Sequence, residues 1–269
     1  MPEDRLLRVA ANEPLAGSYH RLTLSPGAAV PAWEPGQFTM ISLGRGHDPL
    51  LRRPYSIYNL HDPTASTVNL QILYKIYGRG SAALAAARPG DELACLFPLG
   101  RGFSPALGTG QQLALVAGGA GVASLHALAA AEIRAARSPV LLFGGRNSAE
   151  AEAAAPTRAL GVETRISTDD GSMGTRGFVP ALLDGLLKER GAGGFVVCAC
   201  GPTPMMKVTA EVARIHGAAC YLSMESSMAC GFGVCVGCVV GVRREPGAPL
   251  RYKRTCVDGP VMDASEIAW

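Results

Sequence analysis

MACGFGVCVGCVVGVRREPGAPLRYKRTC, residues 228–256, spaces its cysteines as C-x4-C-x2-C and then, after seventeen intervening residues, a fourth. Cys230, Cys235, Cys238 and Cys256 therefore have the plant-type iron-sulfur spacing. A two-iron, two-sulfur cluster needs four thiolates in a tight shell and backbone donors near its sulfides. Gly231, Gly233 and Gly237 are expected to take positive φ and bring N–H groups close to sulfur. Zinc fits less well, because only Cys235 and Cys238 form a two-residue knuckle. Disulfides fit least, since residues 1–17, MPEDRLLRVAANEPLAG, contain no apolar signal core and cytosolic thiols stay reduced. A cytoplasmic protein is the expectation, with no membrane span and no nucleic-acid partner. No run reaches the roughly eighteen apolar residues of a transmembrane helix. The net charge of +3 comes from scattered arginines.

At 269 residues and 48% hydrophobic content the chain can fill more than one core. The pattern divides it into residues 1–104, 105–222 and 223–269. In the first part, short alternating or β-branched runs at 19–24, 37–42, 55–60, 68–76 and 92–97 are cut by Gly, Pro, Asn and Asp, the signature of an antiparallel barrel. A helix is expected over 81–87, with Ser81 as its N-cap. Arg53-Pro54-Tyr55-Ser56 suits a flavin dinucleotide: an arginine fork for pyrophosphate, an aromatic face for the isoalloxazine and a hydroxyl near its N5. The Gly78–Ser81 turn at a helix start suits a phosphate. Taken singly, each is equally a loop arginine, a packing tyrosine or an ordinary turn.

From residue 108 the pattern changes to strand, turn and helix, which argues for a Rossmann-like parallel sheet flanked by helices. A strand over 112–117 runs into Gly118-Gly119-Ala120-Gly121 and a helix over 124–136, a place for a pyrophosphate or simply a tight strand-helix turn. The next strand, 139–143, ends in Gly144-Gly145-Arg146 with no acidic residue for a ribose. Arg146 would meet the 2′-phosphate of NADP or point into water, so NAD and NADP both stay open. A strand over 162–167 and a helix over 179–188 follow. The strand over 195–199 then ends in Cys200-Gly201-Pro202, at the edge where such sheets bind ligands. Cys200 is a candidate neighbour of a nicotinamide or a small buried apolar residue; Cys95, Cys198 and Cys220 belong to the second kind.

RPYS, GGAG and CGP in that order resemble the ferredoxin reductase superfamily. With TDDGSMGTRGFV, CGPTPMM, MACGFGVCVGC and CVDGPVMDASEI, nearly the whole chain resembles the electron-transfer subunits of class 1B dihydroorotate dehydrogenases. The resemblance implies a flavin barrel, a nicotinamide-nucleotide domain and an iron-sulfur domain. It implies FAD binding by Arg53, Pro54, Tyr55, Ser56, the strand residues Leu73, Tyr74 and Lys75, and Gly80 with Ser81. Gly118, Gly119, Gly121, Gly201 and Pro202, from the glycine turn and the strand-edge turn read above, are the candidates for nicotinamide-nucleotide binding. Cys230, Cys235, Cys238 and Cys256 become cluster ligands, and Ser56, Cys200 and Glu225 surround the hydride-transfer site. NADH would reduce FAD, the cluster would pass single electrons, and an FMN-bearing catalytic subunit would exchange them with dihydroorotate in a heterotetramer serving pyrimidine biosynthesis. Related NADP-linked subunits share the DDGS and CVDGP blocks but resemble aspartate at the first ligand, so Cys230 points away from them and Arg146 mildly toward them. A free-standing reductase and a zinc-stapled nucleotide-binding module are the other readings.

Overall fold

The computed structural model describes every residue except 28, 44–49, 61–68, 106, 244 and 246. Strands β1 (Glu3–Ala16), β2 (Tyr19–Ser25), β3 (Phe38–Ile41), β4 (Arg53–Ser56), β5 (Leu70–Lys75) and β6 (Glu92–Leu99) form one antiparallel sheet in the order β4-β3-β6-β1-β2-β5. After β4 the chain changes partner: Tyr58 and Asn59 bond to Gln71 of β5, which closes the sheet into a barrel. That change is why the run expected over 55–60 is a strand only to Ser56. Of the run expected over 68–76, Val68 lies outside the described residues. Alternate side chains such as Leu7, Leu22, Ile41, Ile72 and Phe97 fill the interior.

The short helix α1 (Arg79–Ala85) begins two residues earlier than the sequence suggests, and its N-cap is Gly78. Ser81 lies inside the first turn, where its hydroxyl accepts from the N–H groups of Tyr77 and Gly78 at 3.0 and 3.1 Å. The serine thus satisfies end donors from within the helix rather than from its flank.

The second sheet holds β7 (Gln112–Gly118), β8 (Val140–Gly145), β9 (Glu163–Thr168), β10 (Thr175–Arg176), β11 (Phe195–Cys200) and β12 (Cys220–Ser223), all parallel. Its helices are α2 (Val122–Arg134), α3 (Ser148–Ala151), α4 (Ala155–Arg158), α5 (Val179–Arg190) and α6 (Thr203–His216). Leu113, Leu115 and Ala117 of β7 share a core with α2, while Ala114 and Val116 share one with α5 and α6. Tyr19, Tyr58 and Leu73 of the barrel belong to the α2-side core, so that helix is clamped between sheet and barrel.

The remaining chain forms a hairpin, β13 (Val239–Val242) with β14 (Arg251–Arg254), and then returns. Strand β15 (Val261–Asp263) pairs antiparallel with β12 as the seventh strand of the parallel sheet. The cysteine segment is thus looped out from one sheet edge and tied back to it. Among the described residues no helix is long and apolar enough to cross a membrane.

The turn between β7 and α2 is a tight joint in this architecture. A Cβ on Gly121 would stand 2.1 Å from the carbonyl oxygen of Cys200. Neither side is a flexible side chain, so Gly121→Ala is expected to lower stability by about 3 kcal/mol or more. A urea midpoint shift followed by circular dichroism measures this, and an unchanged midpoint would show that the two backbones are not held so close.

Candidate functional site

The barrel and the parallel sheet enclose a cleft of about 870 Å³ along the carboxyl edge of the strands. Gly118 to Gly121 form part of its wall, opposite Tyr19 and Lys75 of the barrel. The Tyr19 ring is fully buried, yet its hydroxyl has no partner among the described residues. That oxygen lies 3.1 Å from where a Gly119 Cβ would be. A glycine turn at a helix start with an orphaned buried hydroxyl beside it suits a phosphate-bearing ligand: the turn offers N–H groups, and the tyrosine offers a donor already dehydrated.

Barrel and parallel sheet also meet through small polar side chains. Ser56 Oγ of β4 lies 2.8 Å from Ser124 Oγ of α2, which lies 3.4 Å from Cys200 Sγ at the end of β11. Two residues singled out from sequence, Ser56 and Cys200, are therefore linked through a third that was read only as the start of a helix. Burial pushes the Cys200 thiol up to about 12, so it is an uncharged thiol. Pro202 and Glu225 line the same cleft, and burial raises the Glu225 carboxyl above its usual range.

On the barrel, Arg53, Pro54, Tyr55 and Ser56 form β4, all partly buried. A Cβ on Gly80 would meet Arg53 Nε at 3.3 Å, so the α1 turn and the arginine fork are adjacent. Ser81 is buried and holds the turn. The three β5 residues part company. Leu73 packs toward α2 and Tyr74 into the barrel, while Lys75 lines the cleft and donates to Glu150 of α3 at 2.7 Å. Arg146 also donates to Glu150, its Nε at 2.7 Å. Burial alone would raise the Glu150 carboxyl, but the hydrogen bonds from Arg146 and Lys75 outweigh it and bring it down to about 2. Glu150 was missed from sequence; the signal was a carboxylate four residues after an arginine.

The cysteine loop rests on the outside of the same ladder. Cys238 and Cys256 share a small core with Phe38, Met40 and Leu99. Gly231 has φ +83°, and a Cβ there would fall 2.3 Å from Met40 Cγ. Gly233 is also left-handed, but Gly237 is not: Val236 takes positive φ in its place. Gly237 contributes its N–H, which donates to Cys235 Sγ at 3.5 Å, and Cys235 N–H donates to Cys230 Sγ at 3.5 Å. Burial raises the Cys230 thiol, but N–H groups of Cys235, Phe232 and Val234 bring it down to about 6. Burial and the neighbouring Cys238 push Cys256 up to about 12. Cys235 thus lies beside Cys230 and Cys256 beside Cys238, with Cys230 also close enough to act on Cys256. Among the described residues no three such side chains converge to hold a single ion. Two pairs of thiols with backbone donors fit a centre of two irons, each needing two thiolates.

Comparison with known proteins bears on the same residues. Residues 225–268 match the family described as the iron-sulfur cluster binding domain of dihydroorotate dehydrogenase B. The chain is 37% identical over 262 residues to the dihydroorotate dehydrogenase B (NAD(+)), electron transfer subunit of Geobacillus thermodenitrificans (strain NG80-2), covering 97% of each. It is 34% identical to the subunit homolog of Aquifex aeolicus (strain VF5), covering 96% of each. Among solved structures it resembles a chain of the NADH-dependent reduced ferredoxin-NADP oxidoreductase, with 27% identity, a TM-score of 0.80, and 98% of this chain and 90% of that one covered. The ferredoxin reductase of carbazole 1,9a-dioxygenase shares the fold, with 24% identity, a TM-score of 0.70, and 81% and 67% covered.

The orphaned Tyr19 hydroxyl provides a direct test of the cleft. Tyr19→Phe is expected to weaken ADP-ribose binding about 3- to 10-fold, the effect of one lost hydrogen bond. Calorimetry measures it; an unchanged dissociation constant would show that the hydroxyl does not face the ligand.

Proposed function

Since the chain belongs to the family of electron-transfer subunits of dihydroorotate dehydrogenase B, we propose that it takes hydride from NADH onto FAD. It then relays single electrons through a two-iron, two-sulfur cluster to a separate catalytic subunit, or from that subunit in reverse. When bound, FAD accepts two electrons as a hydride and the cluster carries one at a time. The protein needs no general acid or base for this; its task is to bind, orient and exclude water.

One observation carries the reading. In the β3–β4 ladder Phe38 lies opposite Ser56 and Met40 opposite Pro54. The same Phe38 and Met40 pack on Cys238 and Cys256. The cysteine loop therefore packs on β3, the strand paired with the one that carries the flavin motif, a proximity suited to electron transfer. In this reading Arg53 and the Gly80–Ser81 turn hold the FAD pyrophosphate, Tyr55 and Ser56 face the isoalloxazine, and Leu73, Tyr74 and Lys75 supply the adjoining strand. Gly118, Gly119 and Gly121 receive the dinucleotide pyrophosphate, while Cys200, Gly201, Pro202 and Glu225 frame the nicotinamide. The cysteine pairs take one iron each. Residues 1–104, 105–222 and 223–269 serve as the three functional parts, with β15 anchoring the last to the second.

The partner in this proposal is an FMN-bearing dihydroorotate dehydrogenase subunit, joined in a heterotetramer of two chains of each kind. Cys235 is exposed, and Phe232, Val234 and Val236 around it are 54%, 73% and 55% exposed. An apolar collar around the most accessible ligand is a suitable docking face for that partner.

The test is the visible spectrum of anaerobically purified protein before and after NADH, with iron, sulfide and zinc assayed on the same sample. Flavin and cluster bands are expected to bleach together, with two irons per chain; zinc without iron would overturn the reading. Cys235→Ser should keep NADH-driven flavin bleaching while electron delivery to cytochrome c falls about 100-fold or more. Loss of both activities would show that the two centres do not act separately.

A further inference from the structure

We propose that Glu150 makes this chain select NADH over NADPH, by occupying Arg146, the arginine that lines the cleft where a 2′-phosphate would lie; the inference rests on the nicotinamide-nucleotide reading of the cleft. The glycine turn after β7 fixes where a dinucleotide pyrophosphate lies, and β8 and β9 are the next strands on one side. The adenosine half extends over their carboxyl ends, where Arg146 and Asp169 line the cleft. At its mouth Phe178, 72% exposed, offers a flat face for the adenine. An arginine at the end of the strand beside the glycine turn is the usual partner of a 2′-phosphate.

Here that arginine is engaged. Its Nε and Nη2 both donate to Glu150 Oε1, and its backbone N–H approaches Oε2 at 3.3 Å. Lys75 donates to the same Oε1 from the barrel side. Glu150 is 7% exposed, so it is confined where it is, whereas the Arg146 side chain is 69% exposed and would otherwise be available to a ligand. With the carboxyl ionised at neutral pH, a 2′-phosphate would have to displace Glu150 from Arg146. It would also approach Asp169, which lines the same cleft and lies near Arg146. A ribose carrying only hydroxyls meets no such repulsion and can donate to carboxylates. The acidic residue that selects NADH in many such sheets ends a strand and binds the ribose directly. In this chain the selecting carboxylate sits on the following helix and acts by neutralising the cation.

Two measurements on the holoenzyme test this. Binding of 5′-AMP and adenosine 2′,5′-bisphosphate, which differ only in the 2′-phosphate, is compared by calorimetry on the unaltered protein. The second is expected to bind roughly tenfold or more weakly. Equal or tighter binding would overturn the proposal without any substitution, so it remains falsifiable if a variant fails to fold. Glu150→Gln is then expected to raise the NADPH-to-NADH ratio of kcat/KM by about tenfold or more, and Arg146→Ala in that background to reverse the gain. A ratio unmoved by Glu150→Gln in a protein that still oxidises NADH, or a gain that persists without Arg146, would refute the role of Glu150 alone. Failure of the unaltered protein to bind either nucleotide or to oxidise NADH would instead refute the nicotinamide reading and this inference with it.

Discussion

The placement of every proposed site depends on the face that α2 buries against the barrel. A parallel sheet presents its ligand edge wherever its helices allow, and a barrel has no preferred neighbour. The two are fixed because one core holds Tyr19, Tyr58 and Leu73 together with Leu125, Leu128 and Phe143. Apolar burial supplies the attraction but little direction. Direction comes from polar pairs at its margin: Tyr58 stacked on His126 at 4.1 Å, His126 bonded to Thr157, and Ser56 against Ser124. Burial lowers His126 to about 4, so the stacked ring is neutral and no charge is trapped in the joint. Lys75 and Glu150 close the open side of the same joint with an ion pair.

The cysteine loop is held by a different principle. Its hairpin buries little, and its local backbone is strained toward positive φ at Gly231, Gly233 and Val236. It keeps its form because both ends are fastened: β12 precedes it and β15 returns to pair with β12. Between the ends, Cys238 and Cys256 press on Phe38 and Met40 of the barrel. Gly231 is needed there for space as much as for φ, since a side chain would displace Met40. A loop fastened at one sheet and pressed on another senses the relative position of both, which suits a centre that must lie close to a flavin.

What the sequence made legible was whatever is encoded locally. Cysteine spacing, the period-2 runs over 19–24, 37–42 and 92–97, and the strand-glycine-helix turn at Gly118 to Gly121 are short-range patterns, and these appear where expected. What it concealed is set by pairing at long range. Strand β15 has three residues and becomes a strand only because β12 has a free edge. The run after Ser56 exchanges β3 for β5 because the barrel closes there. Ser124 looks like any early helix residue until α2 meets the barrel. Ser81 caps from inside because Gly78-Arg79-Gly80 already turns, and Val236 rather than Gly237 goes left-handed because the N–H of Gly237 is drawn toward Cys235 sulfur. Arg146 was legible as a cation, but its meaning depended on Glu150, which helix α3 places beneath it.

The groups where barrel and sheet meet and the groups that line the cleft differ in character, and the contrast agrees with the chemistry proposed for the site. Where Ser56, Ser124 and Cys200 meet, the polar atoms are hydroxyls and an un-ionised thiol. Along the cleft Lys75, Arg146, Glu150 and Asp169 gather charge. A hydride moves between two flat rings, and fixed charges beside it would favour one redox state of either ring. A close-packed junction of hydroxyls and a thiol instead provides orientation and excludes water, with the Glu225 carboxyl as the titratable group beside it. In the proposed reading, binding strength and discrimination come from the charged groups along the cleft, where a ribose and its substituents are read. Interactions made there, away from the reacting atoms, hold the reactive ring in place.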